Sequence, residues 1–222
     1  AQEAFVALGN LGISKRVAFM RIVADEIESL GVELIETAKA ESHLPEGRLV
    51  GEKARTVFQW RSYADALERG ESLDASIDTA NPDRTPPKPD IRKTNVGLGP
   101  VAVFGASNFP FAFSTAGGDT ASAIAAGCPV VVKAHSGHPK TSGLMAQAIL
   151  NAVTKAEMPD GTFAHVYGSG GEIGQALATD PVIKAIGFTG SYTGGMALVE
   201  AAQKRAEPIP VFAEMGSNNP VF

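Results

Sequence analysis

Residues 99–133 read GPVAVFGASNFPFAFSTAGGDTASAIAAGCPVVVK, and their pattern decides the fold. Val101-Ala102-Val103-Phe104 is a short apolar run with no alternation, as expected of a strand buried on both faces. A helix of small residues is predicted over 114–126. A second strand, over 129–133, delivers Lys133 at its end. The unit then recurs. A helix is predicted over 141–154, a strand over 163–167 and a helix over 173–178. A fourth strand over 182–188, a helix over 194–205 and a fifth strand over 211–213 complete the series. Strands alternating with helices give a parallel, doubly wound α/β sheet. Ligands of such sheets sit beyond the carboxyl ends of the strands.

Working outward, residues 1–70 carry a helical period. Val17, Met20, Val23, Ile27, Leu30 and Leu34 recur at three- and four-residue steps. Gly31 is expected to separate two helices, and Leu44-Pro45-Glu46-Gly47 to turn the chain into a third that ends near Gly70. Residues 71–98 change character. Asn81-Pro82-Asp83 and Pro86-Pro87-Lys88-Pro89 forbid helix and favour an extended path. Ile91 to Val96 alternates like an edge or crossover strand.

The totals exclude several classes. The 222 residues carry a formal net charge of -5, so no basic stripe marks nucleic acid as a partner. No apolar run approaches the roughly 20 residues that span a bilayer, and a membrane is not an expected partner. No signal-peptide pattern opens the chain, and the expected location is cytoplasmic. Cys128 is the single cysteine, so no internal disulfide can form. His135 and His138 read as loop histidines after a strand, with no further ligand at metal spacing, and no metal is expected. The opening residues read as helix interior, and an apolar run restarts at Val221. More chain is therefore expected at both ends.

Three strand ends carry unusual chemistry. After the first strand comes Gly105-Ala106-Ser107-Asn108-Phe109-Pro110, where a side-chain amide can donate to a developing oxyanion. At the second, Lys133 suits ribose hydroxyls or a phosphate. At the fourth, Phe188-Thr189-Gly190-Ser191 precedes Gly194-Gly195 at a helix start, where an anion can approach backbone N–H groups. Gly168-Ser169-Gly170-Gly171 is a further glycine loop, weak evidence alone. After the fifth strand, Glu214 enters a Gly/Ser/Asn turn as an acid or base whose partner is not nearby in sequence.

In this order these motifs resemble the NAD(P)-dependent aldehyde dehydrogenases. The resemblance rests on Gly99-Pro100-Val101-Ala102-Val103, Asn108-Phe109-Pro110, Gly127 to Lys133, Phe188 to Ser191, and Glu214-Met215-Gly216 with Pro220. The variant forms at 104–110, 113–120 and 214–220 look like the α-ketoglutaric semialdehyde (2,5-dioxovalerate) branch. The resemblance implies a Rossmann-like cofactor domain over 99–222, preceded by helices over 1–70 and a bridging segment over 71–98. It also implies a homodimer or homotetramer.

The implied reaction oxidises an aldehyde, such as an acid-semialdehyde, to the carboxylate with NADP or NAD. A cysteine thiolate attacks the aldehyde, hydride passes to the nicotinamide, and water hydrolyses the thioester. Asn108 matches the oxyanion donor and Glu214 the general base. Phe104, Gly105, Ala106, Ser107, Lys133, Gly174, Phe188, Gly190, Ser191 and Met215 match positions around the cofactor. Ser136 stands where many NAD-preferring members carry a glutamate that repels a 2′-phosphate. Its hydroxyl can instead donate, so NADP is expected to be accepted. Arg55, Phe109 and Phe113 are expected in the substrate tunnel, with Arg55 on the distal carboxylate.

Two features depart from the family pattern. Ser217 and Asn218 replace the usual glycine and lysine after the glutamate motif. Cys128 starts a strand, and so cannot meet Asn108 and Glu214 at one carbon. The nucleophile is expected beyond Phe222, leaving this chain without aldehyde oxidation of its own. A non-catalytic nucleotide-binding module is the alternative reading. An acyl-phosphate or acyl-CoA reductase is disfavoured, because a water-activating Glu214 suits hydrolysis.

Overall fold

The computed structural model describes residues 1–216. The expectations on Ser217, Asn218, Pro220 and Val221 lie outside the described residues.

Helices α1 (Gln2–Gly9), α2 (Ile13–Ser29), α3 (Gly31–Ser42) and α4 (Glu46–Glu68) come first. The expected three helices are four, because Asn10 to Gly12 interrupts the first. Gly31 adopts φ +59 at the start of α3, a conformation that costs glycine little. After a 3-10 turn, β1 (Ser76–Asp78) and β2 (Ile91–Lys93) pair antiparallel, with Ile77 opposite Arg92. The alternating run at 91–96 does form a strand. Its partner β1 was not anticipated, since three exposed residues leave no period to read.

The α/β part follows as β3 (Val101–Phe104), α5 (Gly118–Ala125), β4 (Val130–Lys133) and α6 (Pro139–Lys155). Then come β5 (Phe163–Val166), α7 (Glu172–Thr179), β6 (Ala185–Thr189), α8 (Tyr192–Gln203) and β7 (Val211–Glu214). The five strands are parallel, in the order β5-β4-β3-β6-β7. The chain runs outward from β3 on one side, then returns to place β6 on the other. The switch point between β3 and β6 is where a cleft opens in such sheets.

Both faces are covered, which is why β3 is buried at every residue. Val101, Val103, Val130 and Val132 join the larger core with α2, α4 and α6. Ala102, Phe104 and Ile186 join a smaller core with Ala178 of α7 and Leu198 of α8. Most boundaries shift by one or two residues, and two shift by more. The helix expected over 114–126 begins at Gly118, because Ser114 to Gly117 is pinned from outside. There Trp60 Nε1 donates to the Ala116 carbonyl at 2.7 Å, and Gly118 N to that of Ala112 at 3.0 Å. The strand expected over 182–188 begins at Ala185, after a turn in which Asp180 Oδ1 accepts from Val182 N at 2.8 Å. No helix among the described residues is long and apolar enough to cross a membrane.

Candidate functional site

A cleft of about 880 Å³ opens at the carboxyl ends of β3, β4, β6 and β7. Sheet register decides what lines it. Phe104 is level with Lys133 on one side and Phe188 on the other. One step on, Thr189 is level with Glu214. Four side chains from four strands therefore share one rim, although 110 positions separate Phe104 from Glu214 in the sequence.

Gly105 follows β3 because the loop folds back on itself. A Cβ there would lie 2.5 Å from Ser114 Cα. Ala106 N donates to the Phe113 carbonyl at 2.8 Å, and His138 Nε2 lies 2.9 Å from the Ala106 carbonyl. The loop thus presents Ser107, Asn108, Phe109 and Phe113 to the cleft.

Lys133 is buried, and desolvation holds its ammonium below the ordinary lysine range. An anionic or hydroxyl-rich ligand would compensate that lost hydration. Exposed Ser136 lies beside it on the cleft wall. His135 accepts from Gly137 N at 3.0 Å and stacks on His138, with ring centroids 5.3 Å apart. Burial first, then His138 and Lys133, lower the His135 pKa. These two histidines shape the loop. Among the described residues no group of three or more His, Cys, Asp or Glu is placed to hold a metal.

Ser191 caps α8, its Oγ accepting from Gly194 N at 3.2 Å. Gly190 and Gly194 do something the sequence did not show. A Cβ on Gly190 would lie 2.7 Å from Phe188 Cζ, and one on Gly194 would lie 3.2 Å from it. The glycines clear space for that ring as well as baring the helix start. Gly174 and Met215 stand behind the wall. Gly174 backs the Phe104 ring, and Met215 packs on Gly195.

Arg55 points its guanidinium over the Phe113 ring at 4.8 Å. Arg48, one helical turn before Glu52, lies 4.6 Å over Phe109 and donates to the Asn108 carbonyl at 2.5 Å. Phe109 and Phe113 meet edge to face at 5.1 Å. Arg48 was missed in the sequence, although positions 48, 52 and 55 share one helical face. Asp119 was missed too. It sits against Gly187, and burial first, then the Glu214 carboxylate, push its pKa up.

Cys128 is 3% exposed and belongs to the larger core. It precedes β4, so it lies at the end of the sheet away from the cleft.

Comparison with known proteins follows the same lines. The sequence model of the Aldehyde dehydrogenase family matches residues 1–222. "Alpha-ketoglutaric semialdehyde dehydrogenase 2" of Azospirillum brasilense is 56% identical over 222 residues, covering 100% of this chain and 42% of that protein. "Alpha-ketoglutaric semialdehyde dehydrogenase" of Acinetobacter baylyi is 52% identical over 223 residues, with the same coverage of 100% and 42%. The crystal structure of an NAD-dependent aldehyde dehydrogenase from Sinorhizobium meliloti matches with a TM-score of 0.83 at 28% identity. It covers 99% of this chain and 41% of that one. The chain thus spans 42% of the length of these two curated relatives.

Proposed function

This chain belongs to the aldehyde dehydrogenase family, and we propose that it binds NADP or NAD for an enzyme that oxidises an acid-semialdehyde to the carboxylate. The observation that carries this reading is the shared rim. Phe104, Lys133 and Phe188 are brought level by register and Glu214 stands one step on, with the Asn108 loop beside them. Names of relatives at 56% and 52% identity supply the substrate class, α-ketoglutaric semialdehyde.

The cleft fits a dinucleotide. It has the volume, a desolvated lysine and a capped helix start bare of side chains at Gly194 and Gly195. Lys133 and Ser136 would hold the adenosine ribose, Ser136 facing a 2′-phosphate. The α8 N-terminus would face the pyrophosphate. Phe104, Gly105, Ala106, Ser107, Phe188 and Gly190 would form the walls, with Gly174 and Met215 supporting them from behind. When bound there, NADP or NAD would supply hydride-accepting chemistry.

The chain's own residues do the rest. Asn108 donates its amide N–H to the oxyanion, a contact whose loss typically costs about 100- to 1000-fold in rate. Glu214 takes a proton from the attacking water. Phe109 and Phe113 wall the substrate tunnel, and Arg55 faces the distal carboxylate. Cys128, buried at the opposite end of the sheet, is no nucleophile for this site. The thiolate therefore comes from a residue outside 1–222.

Domain roles follow. Residues 1–70 and 99–222 make the cofactor domain, and 71–98 bridges to a neighbouring subunit of a homodimer or homotetramer. In support, β1 and β2 form an exposed ribbon with Ile77 and Ile91 facing solvent.

The test is a pair of titrations, NADP and NAD, on the chain and on Ser136→Glu. NADP should bind at least as tightly as NAD. The substitution should shift the ratio toward NAD by about 10-fold or more, since a carboxylate would face a phosphate across a few ångströms. Weaker NADP binding with an unmoved ratio would overturn the assignment. In the full-length protein, Asn108→Ala should abolish most turnover of an acid-semialdehyde.

A further inference from the structure

Glu52 lies on α4 and is 6% exposed, although its sequence neighbours Gly51, Lys53 and Ala54 give no sign that this face is covered. Its Oε1 accepts from two successive backbone N–H groups, Phe111 at 2.8 Å and Ala112 at 3.0 Å. Its other oxygen, Oε2, is buried with no hydrogen-bond partner among the described residues. A buried carboxylate that uses one oxygen on two amides of a distant loop is costly to keep. The loop it grips is the one that carries Asn108 three residues earlier.

Other residues of α4 hold the same loop in sequence order. Arg48 bonds the Asn108 carbonyl, Glu52 the 111–112 amides, and Trp60 the Ala116 carbonyl. Of these, Glu52 makes the only pair of bonds to consecutive amides. Pinning both amides anchors the far end of the Asn108-Phe109-Pro110 stretch. We infer that Glu52 is a positioning residue, fixing the Asn108 amide where the oxyanion develops. This rests on the reading of Asn108 as the oxyanion donor.

Oε1 alone makes the bonds, so the geometry gives a sharp expectation for substitutions. Glutamine retains a carbonyl oxygen at the same reach. Aspartate retains the charge but withdraws it by one methylene. In the full-length enzyme, Glu52→Gln should keep kcat within about threefold. Glu52→Asp and Glu52→Ala should lower it by on the order of 10-fold or more, with the substrate KM little changed, as misplacement of a transition-state donor requires. The pair Glu52→Asp and Asn108→Ala should be non-additive, the double variant being no slower than Asn108→Ala alone.

Additive losses, or a rise in KM with kcat intact, would overturn the positioning role while leaving Asn108 untouched. A Glu52→Gln variant as slow as Glu52→Asp would overturn it too. An Asn108→Ala variant with native kcat would instead remove the reading beneath it. Should Glu52→Ala fail to fold, the Gln and Asp pair still decides, with melting temperatures of both measured alongside.

Discussion

At the scale of single residues, Arg48 and Arg55 of α4 bear on the proposed substrate tunnel. Each guanidinium covers one phenyl ring of the Asn108 loop, Arg48 over Phe109 and Arg55 over Phe113. Arg48 donates to the Asn108 carbonyl, whereas the stacked Arg55 guanidinium can offer its planar N–H fork to a carboxylate. In the full-length enzyme, Arg55→Ala should raise KM for an acid-semialdehyde by about 10- to 100-fold, the worth of a charge-assisted pair. A neutral aldehyde of similar length should be nearly unaffected. Equal losses for both substrates would remove Arg55 from recognition. The placement of such side chains was only partly legible in the sequence. Lys133 showed itself because a lysine ending a valine run is conspicuous. Glu52 did not, because a glutamate among Gly51, Lys53 and Ala54 reads as a solvated helix face. What buries it is a loop nearly 60 positions away, which no local pattern reports.

At the scale of elements, α3 and α6 meet through one carboxylate. Glu41 Oε1 accepts from Lys140 N at 2.9 Å, and Oε2 from Thr141 N at 2.8 Å and its hydroxyl at 2.7 Å. Glu41 thus caps α6, whose start is set by Pro139. That helix start fixes the far end of the loop bearing Ser136. Burial works to raise the Glu41 pKa, but the bonds from Thr141 and Lys140 outweigh it, and the net shift is downward. A depressed folded pKa means that the stabilisation is present above the ordinary glutamate range. It is lost as pH falls through the folded value. Glu41→Gln should therefore cost about 1 kcal/mol near pH 7, or roughly 2–4 °C in Tm. The difference from the parent should shrink on acidification below the ordinary range. Melting curves from pH 7 to pH 3 check this, and a gap that widens toward low pH would refute it. Element type was readable from period, and the strand-helix alternation after Gly99 is as expected. Element ends were not, at Ser114 to Gly117 above all, where Trp60 from another helix overrides the local helical preference of small residues.

For the whole molecule, the sheet divides two unequal layers. The larger core gathers buried residues from α2, α3, α4, α5 and α6 against one face. The smaller has chiefly Ala178 from α7 and Leu198 and Ala202 from α8 against Ala102, Phe104 and Ile186. Apolar burial scales with area, so the α7–α8 layer should open at lower free energy than the rest. The cleft depends on that layer, since Gly170, Gly171 and Gln175 at the start of α7 and Thr193, Gly194 and Ala197 of α8 line it. Opening the layer removes that side of the wall and so disrupts the proposed binding site. Cofactor binding is then linked to closure. At 100 times its Kd, NADP should add about 2.7 kcal/mol to the opening free energy, slowing exchange there by about 100-fold. Hydrogen exchange on the chain alone measures both parts. Without cofactor, α7 and α8 amides should exchange well before those of α2, α4 and β3. With NADP they should slow by about two decades. Equal exchange in the two layers without cofactor would show that the smaller core is no weaker. An α7–α8 layer unmoved by saturating NADP would show that the cofactor does not use this wall.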